Sequence, residues 1–199
     1  MVDYSFNMNI LIAGGSGFVG QALSKYLRDT GYTVYTLSRS PKQKNEILWD
    51  PKAGYISESE FNATIDVIVN VAGAGINDKR WTSARKQELY DSRIGSNICL
   101  FNNRLLFPNL KHFISASGIT AYPFDDGSHL WKEDEQFGDA YIAKLVEQWE
   151  QSAALFSEFV VVAQIRIAVV FGKHGGALPL LVKLTNAHLG GPVGTGKQM

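Results

Sequence analysis

The sequence predicts an α/β fold in which helices cover both faces of a doubly wound parallel sheet. Short apolar runs of strand length alternate along the chain with longer segments whose apolar residues recur at helical spacing. This alternation is typical of parallel sheets, because a crossover segment must separate one parallel strand from the next. The run Val67–Val71 is apolar except for Asn70, as expected of a strand covered on both faces.

The first half of the chain contains four of the predicted elements before that run. Met8–Ala13 is an apolar strand, and Phe18–Thr30 carries an apolar stripe at helical spacing. Gly31 ends this helix. Thr33–Leu37 is rich in β-branched and aromatic residues, which predicts a second strand, and Glu46–Trp49 is a short candidate strand.

The second half repeats the alternation. Thr82 can cap a long helix that runs to about Leu106, since its apolar residues fall on one face. His112–Ser115 is the next predicted strand, and a long loop separates it from a helix at Asp139–Phe156. A further strand lies within Phe159–Val170.

Composition and charge exclude several classes of protein. Lys and Arg together number 19, as do Asp and Glu, so no net field favours nucleic acid or an anionic membrane as a partner. Cys99 is the only cysteine and the histidines show no ligand spacing, so we expect no disulfide and no metal. The N-terminus does not resemble a signal peptide and no apolar run is long enough to span a bilayer. A cytoplasmic protein is therefore expected.

The most informative motif is a glycine-rich stretch between the first strand and the first helix. Gly14, Gly17 and Gly20 form a G-x-x-G-x-x-G pattern at this turn. Glycines let the backbone approach a pyrophosphate closely, and the helix N-terminus offers free N–H groups and the positive end of a dipole. The pattern therefore predicts dinucleotide binding; the alternative is a purely structural tight turn.

The end of the second strand carries a clue to the kind of dinucleotide. A carboxylate that binds the ribose 2′-hydroxyl of NAD is expected there, but this chain has Ser38 and Arg39 instead. A guanidinium can bind a 2′-phosphate through two hydrogen bonds, which favours NADP, with NADPH preferred over NADH. The alternative is a solvated arginine at a strand end.

Several motifs together resemble the extended short-chain dehydrogenase/reductases. They are the glycine pattern, Asn70-Val71-Ala72-Gly73 and Ser115-Ala116-Ser117. More narrowly, "GAGINDKRWTSARKQELYDSRIGSNICL", "WDP" at Trp49–Pro51, "ISASG", "WE" at Trp149–Glu150 and "RIAVVFGKHGGAL" resemble an atypical NAD(P)-dependent epimerase/dehydratase-like subfamily, often labelled cell-division-inhibitor-like. The resemblance covers nearly the whole chain and implies a Rossmann fold.

The resemblance also implies roles for individual residues. Phe18 and Val19 would lie over the pyrophosphate. The nicotinamide side of the cofactor would be lined by Ala72, Gly73 and Ala74, and Ser115 is also assigned to the cofactor site. Two residues would be catalytic: Ser117 would hydrogen-bond a substrate carbonyl or hydroxyl, and Tyr141 would transfer a proton.

The chain departs from the family pattern at the helix that begins near Tyr141. Relatives carry Tyr-x-x-x-Lys, but Leu145 stands at the fourth position and Lys144 lies one residue short, about 100° around the helix. Without that lysine, a tyrosine is a poor base but a usable acid, which favours carbonyl reduction over alcohol oxidation. Tyr141 also belongs to an apolar stripe and can instead be a packing residue.

The predicted domain organisation follows from the same resemblance. Residues 1–173 are assigned to the Rossmann domain and residues 174–199 to the start of a substrate-side region. Relatives continue into a small C-terminal substrate domain, whereas this chain stops at Met199. We therefore expect a chain truncated before that domain, with little turnover of its own because the walls that position substrate are missing.

The predicted function is an NADP-binding reductase or epimerase-like protein that transfers hydride to a small carbonyl substrate. One alternative is a non-catalytic protein that senses NADP and signals through a partner; the other is a nucleotide-sugar epimerase. Leu145 and the truncation favour the sensor, while Ser117 favours the enzyme. The sequence does not name the substrate and leaves an oligomer open.

Overall fold

The fold is built around one seven-stranded sheet. The structure, a computed structural model, describes residues 8–58, 64–123 and 128–191. The strands, in chain order, are β1 (Asn9–Ala13), β2 (Thr33–Ser38), β3 (Glu46–Asp50), β4 (Tyr55–Ile56), β5 (Val67–Asn70), β6 (His112–Gly118) and β7 (Val161–Ile167). Their order across the sheet is β4-β3-β2-β1-β5-β6-β7.

The sheet is doubly wound, which confirms the predicted fold class. β1 pairs in parallel with both β2 and β5, β2 with β3, and β5 with β6, whereas β4 pairs with β3 in the antiparallel direction. From β1 the chain builds outward to β2 and β3, then returns to the other side of β1 as β5. The strand order therefore reverses between β1 and β5, and ligands of such sheets bind at the carboxyl ends of the strands near that point.

Five α-helices lie within the described residues, and the first four occupy segments where the apolar spacing predicts helix. They are α1 (Phe18–Asp29), α2 (Ser83–Tyr90), α3 (Ser96–Asn102), α4 (Tyr141–Ala154) and α5 (Leu178–Asn186). The predicted long helix from Thr82 begins as expected, with the Thr82 hydroxyl accepting the Arg85 N–H at 3.2 Å. It is divided, however: a π-helical turn at Asp91–Gly95 separates α2 from α3, and a 3₁₀ turn follows at Arg104–Leu106.

Four short or late elements were not predicted from the sequence. β4 has two residues, and β8 (Phe171–Gly172) and β9 (Gly175–Gly176) form a separate two-stranded hairpin. Helix α5 leaves its leucines exposed, among them Leu180 at 61%. None of the helices in the described ranges is long and apolar enough to cross a membrane.

The core lies between the sheet and the helices. Its fully buried members on one face include Leu11, Ile68, Leu100, Phe113 and Phe156. Phe113 and Phe156 stack with their ring centroids 3.9 Å apart. Burial of these side chains contributes roughly 1.5–3 kcal/mol each relative to exposure, which fixes the sheet and thereby the loops at its carboxyl edge.

The described residues form two compact units. The first comprises the residues up to 117 together with 148–165, and the second comprises 118–147 with 166 onward. All the described strands of the main sheet fall in the first unit, apart from the last residue of β6 and the last two residues of β7. The predicted division at residue 173 stays a prediction.

Candidate functional site

A cleft of about 520 Å³ opens at the carboxyl edge of the sheet, in the first unit. Its walls come from the segments that follow β1, β2, β3 and β5 and from the helical segment 88–96. The volume is within the range of small-molecule and cofactor sites. The cleft lies where the strand order reverses, so the topology and the cavity indicate the same place.

The glycine turn after β1 requires glycine at two positions. Gly14 has φ = +84°, and a Cβ there would lie 2.7 Å from the amide nitrogen of Ala72. A Cβ on Gly20 would overlap the carbonyl oxygen of Gly14, so Gly20 lets α1 pack tightly against the turn. Gly17 donates its N–H to Gly14 O at 3.0 Å and lines the cleft. This hydrogen bond closes the turn, and the backbone of the turn lines the cleft.

The first turn of α1 is suited to an anion. Gly17 is the N-cap, no side chain caps this terminus, and the first turn contains no acidic residue. The N–H groups of such a turn have no partner within the helix and carry the positive end of its dipole. Phe18 is 39% exposed beside them, Val19 is half-buried and Gly20 is buried. These residues fit the pyrophosphate of a dinucleotide.

The outer wall of the cleft, residues 38–40 and 50–52, is mostly polar and exposed, with Ser38 and Pro51 half-buried. Ser38 is the last residue of β2, and Arg39 and Ser40 follow it. Asp50 is the last residue of β3, and Pro51 and Lys52 follow it. Within the described part of the chain, neither Arg39 nor Lys52 forms an ion pair. Two positive side chains therefore face the cleft region with no carboxylate bound to them.

The inner wall, residues 71–75, is held by side chains behind it. The N–H of Ala72 donates to the Asn70 side-chain oxygen at 3.0 Å, and that of Ala74 donates to the Ser92 hydroxyl at 3.0 Å. Arg93 donates to Ala74 O at 2.9 Å, and Arg85 donates to the carbonyl of Gly75. The polar backbone groups of a loop are thus satisfied by four side chains, which fixes its path.

Arg93 is the central residue of this support. It is only 7% exposed and also donates to Leu89 O at 3.3 Å. Its guanidinium lies 5.2 Å from the ring centroid of Trp149, a cation–π distance. A Cβ on Gly73 would approach the Arg93 guanidinium carbon to 3.2 Å, so the loop packs directly on the arginine. The π-helical turn places Ser92 and Arg93 toward the loop together.

A buried amide network extends this support into the core. The Asn70 amide donates to Ser96 Oγ at 2.9 Å and to Asn97 Oδ1 at 2.6 Å, and Asn97 donates to Ser152 Oγ at 2.9 Å. Asn70, Ser96 and Asn97 are completely buried. Satisfied networks of this kind are rigid because each member fixes its neighbours.

Each carboxylate that lines the cleft has its own hydrogen-bond donors. Glu88 pairs with Arg85 at 2.6 Å, and this bond, together with smaller contributions from Lys79 and Lys52, holds the pKa of Glu88 below its usual range against the opposing effect of desolvation. Asp91 accepts from the Gln87 amide at 2.7 Å. Asp50 accepts the N–H of Lys52 at 3.0 Å. The lining acids are thus engaged, in contrast to Arg39 and Lys52.

The predicted catalytic serine has a partner that the sequence analysis did not assign. Ser117 lies within β6, is 3% exposed, and donates its hydroxyl proton to the Glu150 carboxylate at 2.5 Å. Its oxygen remains an acceptor. The nearby Ser115 is also buried, and its hydroxyl donates to the Ala116 carbonyl at 3.0 Å. Neither serine lines the cleft.

Tyr141 belongs to the second unit, where it begins α4 and is half-buried. Leu145, the fourth residue on, is 3% exposed, while Lys144 is exposed. The position of the expected lysine is thus a core position in this chain.

The structure brings most of the predicted cofactor residues to one cleft. Those that line it are Gly14, Gly17, Ser38, Arg39, Ala72, Gly73 and Ala74. Lys52, Ser92, Arg93 and Glu150 were not predicted as site residues. The "WDP" and "WE" motifs, and the Ser92-Arg93-Ile94 part of the long quoted stretch, lie at or beside these positions and were the available signals. No three side chains of His, Cys, Asp or Glu converge as metal ligands within residues 8–58, 64–123 and 128–191.

The NAD dependent epimerase/dehydratase family matches residues 10–186, most of the chain. The chain belongs to this family. An Arabidopsis thaliana protein, the chloroplastic homolog of the epimerase family protein SDR39U1, is 32% identical over 201 residues, which cover 96% of this chain and 57% of the relative. An epimerase family protein of Staphylococcus epidermidis is also 32% identical, over 94% of this chain and 64% of the relative.

Solved structures of similar proteins show the same architecture. The human epimerase family protein SDR39U1 (isoform 2) with NADPH aligns with a TM-score of 0.84 at 30% identity, over 96% of this chain and 64% of that one. A nucleoside-diphosphate sugar epimerase from Corynebacterium glutamicum aligns with a TM-score of 0.80 at 28% identity, over 96% of this chain and 40% of that one. The present chain thus spans less than two thirds of these relatives' lengths.

Proposed function

We propose that this chain binds NADP through the cleft, with the 2′-phosphate bound by Ser38 and Arg39. The observation that carries the proposal is Arg39, which lines the cleft at the end of β2 and has no ion pair among the described residues. A carboxylate would bind the ribose hydroxyls of NAD at this place, but the end of β2 offers hydroxyls and a guanidinium instead.

The remaining cleft residues support the rest of the dinucleotide. The glycine turn and the uncapped start of α1 accept a pyrophosphate, and the backbone at Gly14 approaches the loop at Ala72 as closely as glycine allows. The inner wall, fixed by Arg93 and Ser92, gives the nicotinamide side a rigid surface. The human relative is described with NADPH, which agrees with this assignment.

Calorimetric titration with NADPH and NADH tests the cofactor choice. A charge-assisted hydrogen bond to phosphate contributes about 1.5–3 kcal/mol, so NADPH should bind at least about tenfold more tightly than NADH. Arg39→Ala should remove most of this difference and leave NADH binding in place. Arg28→Ala is a control, because Arg28 lies outside the cleft and donates to Val34 O. Equal affinities in the unsubstituted chain would contradict the assignment.

For the whole protein, we propose an NADP-dependent reduction of a small carbonyl compound. Bound NADPH would supply the hydride. Tyr141, with no lysine at the fourth position to stabilise a phenolate, suits proton donation rather than proton removal. Tyr141→Phe in the whole protein should lower kcat on the order of 10²-fold with NADPH affinity unchanged. Unchanged turnover would identify Tyr141 as a packing residue.

A non-catalytic NADP sensor is the second candidate, and two observations favour it. Leu145 makes the family's lysine position part of the core, and the Ser117 hydroxyl already donates its proton to Glu150. A sensor would bind NADPH but would consume none of it with any member of a panel of aldehydes, ketones and nucleotide sugars. Conversion of a nucleotide sugar without net NADPH consumption would indicate epimerase chemistry instead.

A further inference from the structure

We infer that Lys52, in the turn between β3 and β4, is a second specificity-determining residue for the 2′-phosphate of the dinucleotide. This inference rests on the proposed function and adds a residue from a different strand. In it, the phosphate is bound by one cation from the end of β2 and by another from the end of β3.

The sheet register brings the two segments to the same edge. β2 and β3 are parallel, and Ser38 is the register partner of Leu48. Neighbouring strands lie about 4.8 Å apart, so the chain leaves both strands side by side. Arg39 follows Ser38 directly, while Lys52 follows two residues after the end of β3; both line the cleft.

The backbone around Lys52 is held in place although its side chain is exposed. One Asp50 carboxylate oxygen accepts the N–H of Lys52 at 3.0 Å and that of Ala53 at 3.3 Å. Asp50 also pairs with Tyr55 across the β3–β4 hairpin, and the Asn103 amide donates to Gly54 O at 2.9 Å. The turn is therefore tied to α3, and the ordering cost of placing the ammonium falls mainly on its side chain.

The charges around the cleft leave Lys52 available. Asp50, Glu88 and Asp91 each accept hydrogen bonds from groups other than the Lys52 ammonium, and Lys52 has no ion pair within the described ranges. The Lys52 charge reaches across to Glu88, whose carboxylate it stabilises slightly. An unpaired ammonium facing a cleft beside an unpaired guanidinium is complementary to a dianionic phosphate.

Isothermal titration of NADPH and NADH separates this role from a general attraction for anions. The chains to compare are the unsubstituted protein, Lys52→Met, Lys52→Arg, Arg39→Ala and the double variant. Lys42→Met is the matched control, because Lys42 is exposed close to Arg39 in sequence but does not line the cleft. Thermal unfolding of each variant confirms that it is folded.

Lys52→Met should weaken NADPH binding about fivefold and leave NADH binding unchanged. Lys52→Arg should keep the preference, Lys42→Met should change either affinity less than about twofold, and the double variant should bind both cofactors alike. These results together would establish the second cation.

Other outcomes would overturn the inference. An equal loss for both cofactors would place Lys52 at the pyrophosphate, and no loss for either would make it a solvated surface lysine. An NADPH preference that Lys52→Met leaves unchanged in size refutes the role of Lys52 alone. If the unsubstituted chain shows no preference, the 2′-phosphate assignment of Arg39 fails together with that of Lys52.

Discussion

The inner and outer walls of the cleft are built in opposite ways. The inner wall, residues 71–75, is fixed from behind by Asn70, Ser92, Arg93 and Arg85, of which Asn70, Arg93 and Arg85 are almost completely buried. The outer wall, residues 38–40 and 50–52, is exposed except for the half-buried Ser38 and Pro51. Similar polar residue types thus serve two purposes: on one side they complete the hydrogen bonding of the loop, and on the other they remain available to a ligand.

Burial decides what each arginine beside the cleft does. Arg93 donates hydrogen bonds to two backbone carbonyls, and removal of its side chain would leave these carbonyls without that donor. Arg39 forms no ion pair within the described residues, so a phosphate would not have to displace a carboxylate from it. Stability should therefore depend on the inner wall and discrimination between cofactors on the outer wall.

The free energy of unfolding should change most when a residue that supports the inner wall is replaced. Arg93→Met removes the hydrogen bonds to Ala74 O and Leu89 O and the contact with Trp149, which should lower the free energy of unfolding by about 2 kcal/mol. Arg39→Met is the matched control and should change it by less than about 0.5 kcal/mol, because an exposed side chain is removed. Urea unfolding without cofactor measures both. Similar losses of stability for the two variants would contradict the difference between the inner and outer walls.

A smaller effect of the same kind is expected when a serine that supports the inner wall is compared with a serine of the outer wall. Ser92→Ala leaves the N–H of Ala74 without its acceptor and should lower the free energy of unfolding by about 1 kcal/mol and weaken NADPH binding. Ser40→Ala, on the outer wall, should be neutral for stability. Urea titration and calorimetry report both quantities; a neutral Ser92→Ala would show that the inner loop keeps its position without this bond.

The weakest effect is expected for the reactivity of Cys99, whose thiol contacts the β3–β4 hairpin. Burial, with a lesser contribution from Asp50, raises the pKa of Cys99 from 9.0 to about 11, and its sulfur lies 3.9 Å from Tyr55 O in the β3–β4 hairpin. A raised pKa stabilises the fold fully below pH 9, and this contribution is lost as the pH rises from 9 toward 11.

Because the Cys99 thiol is buried, its labelling by a thiol reagent at pH 8 should be no faster than global unfolding of the chain. The unfolded chain in urea provides the reference rate for the exposed thiol. Labelling that clearly outpaces global unfolding would show that the hairpin opens by itself, so that the outer wall moves while the inner wall stays folded.

The sequence alone predicted the sheet and much of the cleft because their signals are local. The apolar run Val67–Val71 and the glycine turn need no distant partner to be recognised. The two-residue strand β4 was missed since its pairing with β3 comes from the hairpin rather than from a run of strand formers. Ser115 was assigned to the cofactor from its motif, but its hydroxyl is buried and donates to the neighbouring Ala116 carbonyl.

The supporting residues of the site were harder to predict for a physical reason. Arg85 and Arg93 occur in a helix rich in charged residues, where an arginine normally faces water. Their burial follows from tertiary packing against the loop at 73–75 and against Trp149. The Ser117–Glu150 contact joins residues 33 positions apart and likewise needs the folded sheet.

The π-helical turn at Asp91–Gly95 limits where this chain can be joined to segments of related proteins in a chimera. Each residue of an α-helix advances the side chain by about 100°, so deleting one residue to make a continuous helix would rotate α3 about its axis relative to α2. Asn97 would then turn away from Asn70 and Ser152. A chimera should therefore inherit residues 83–102 as one indivisible block, with both crossover points placed outside it.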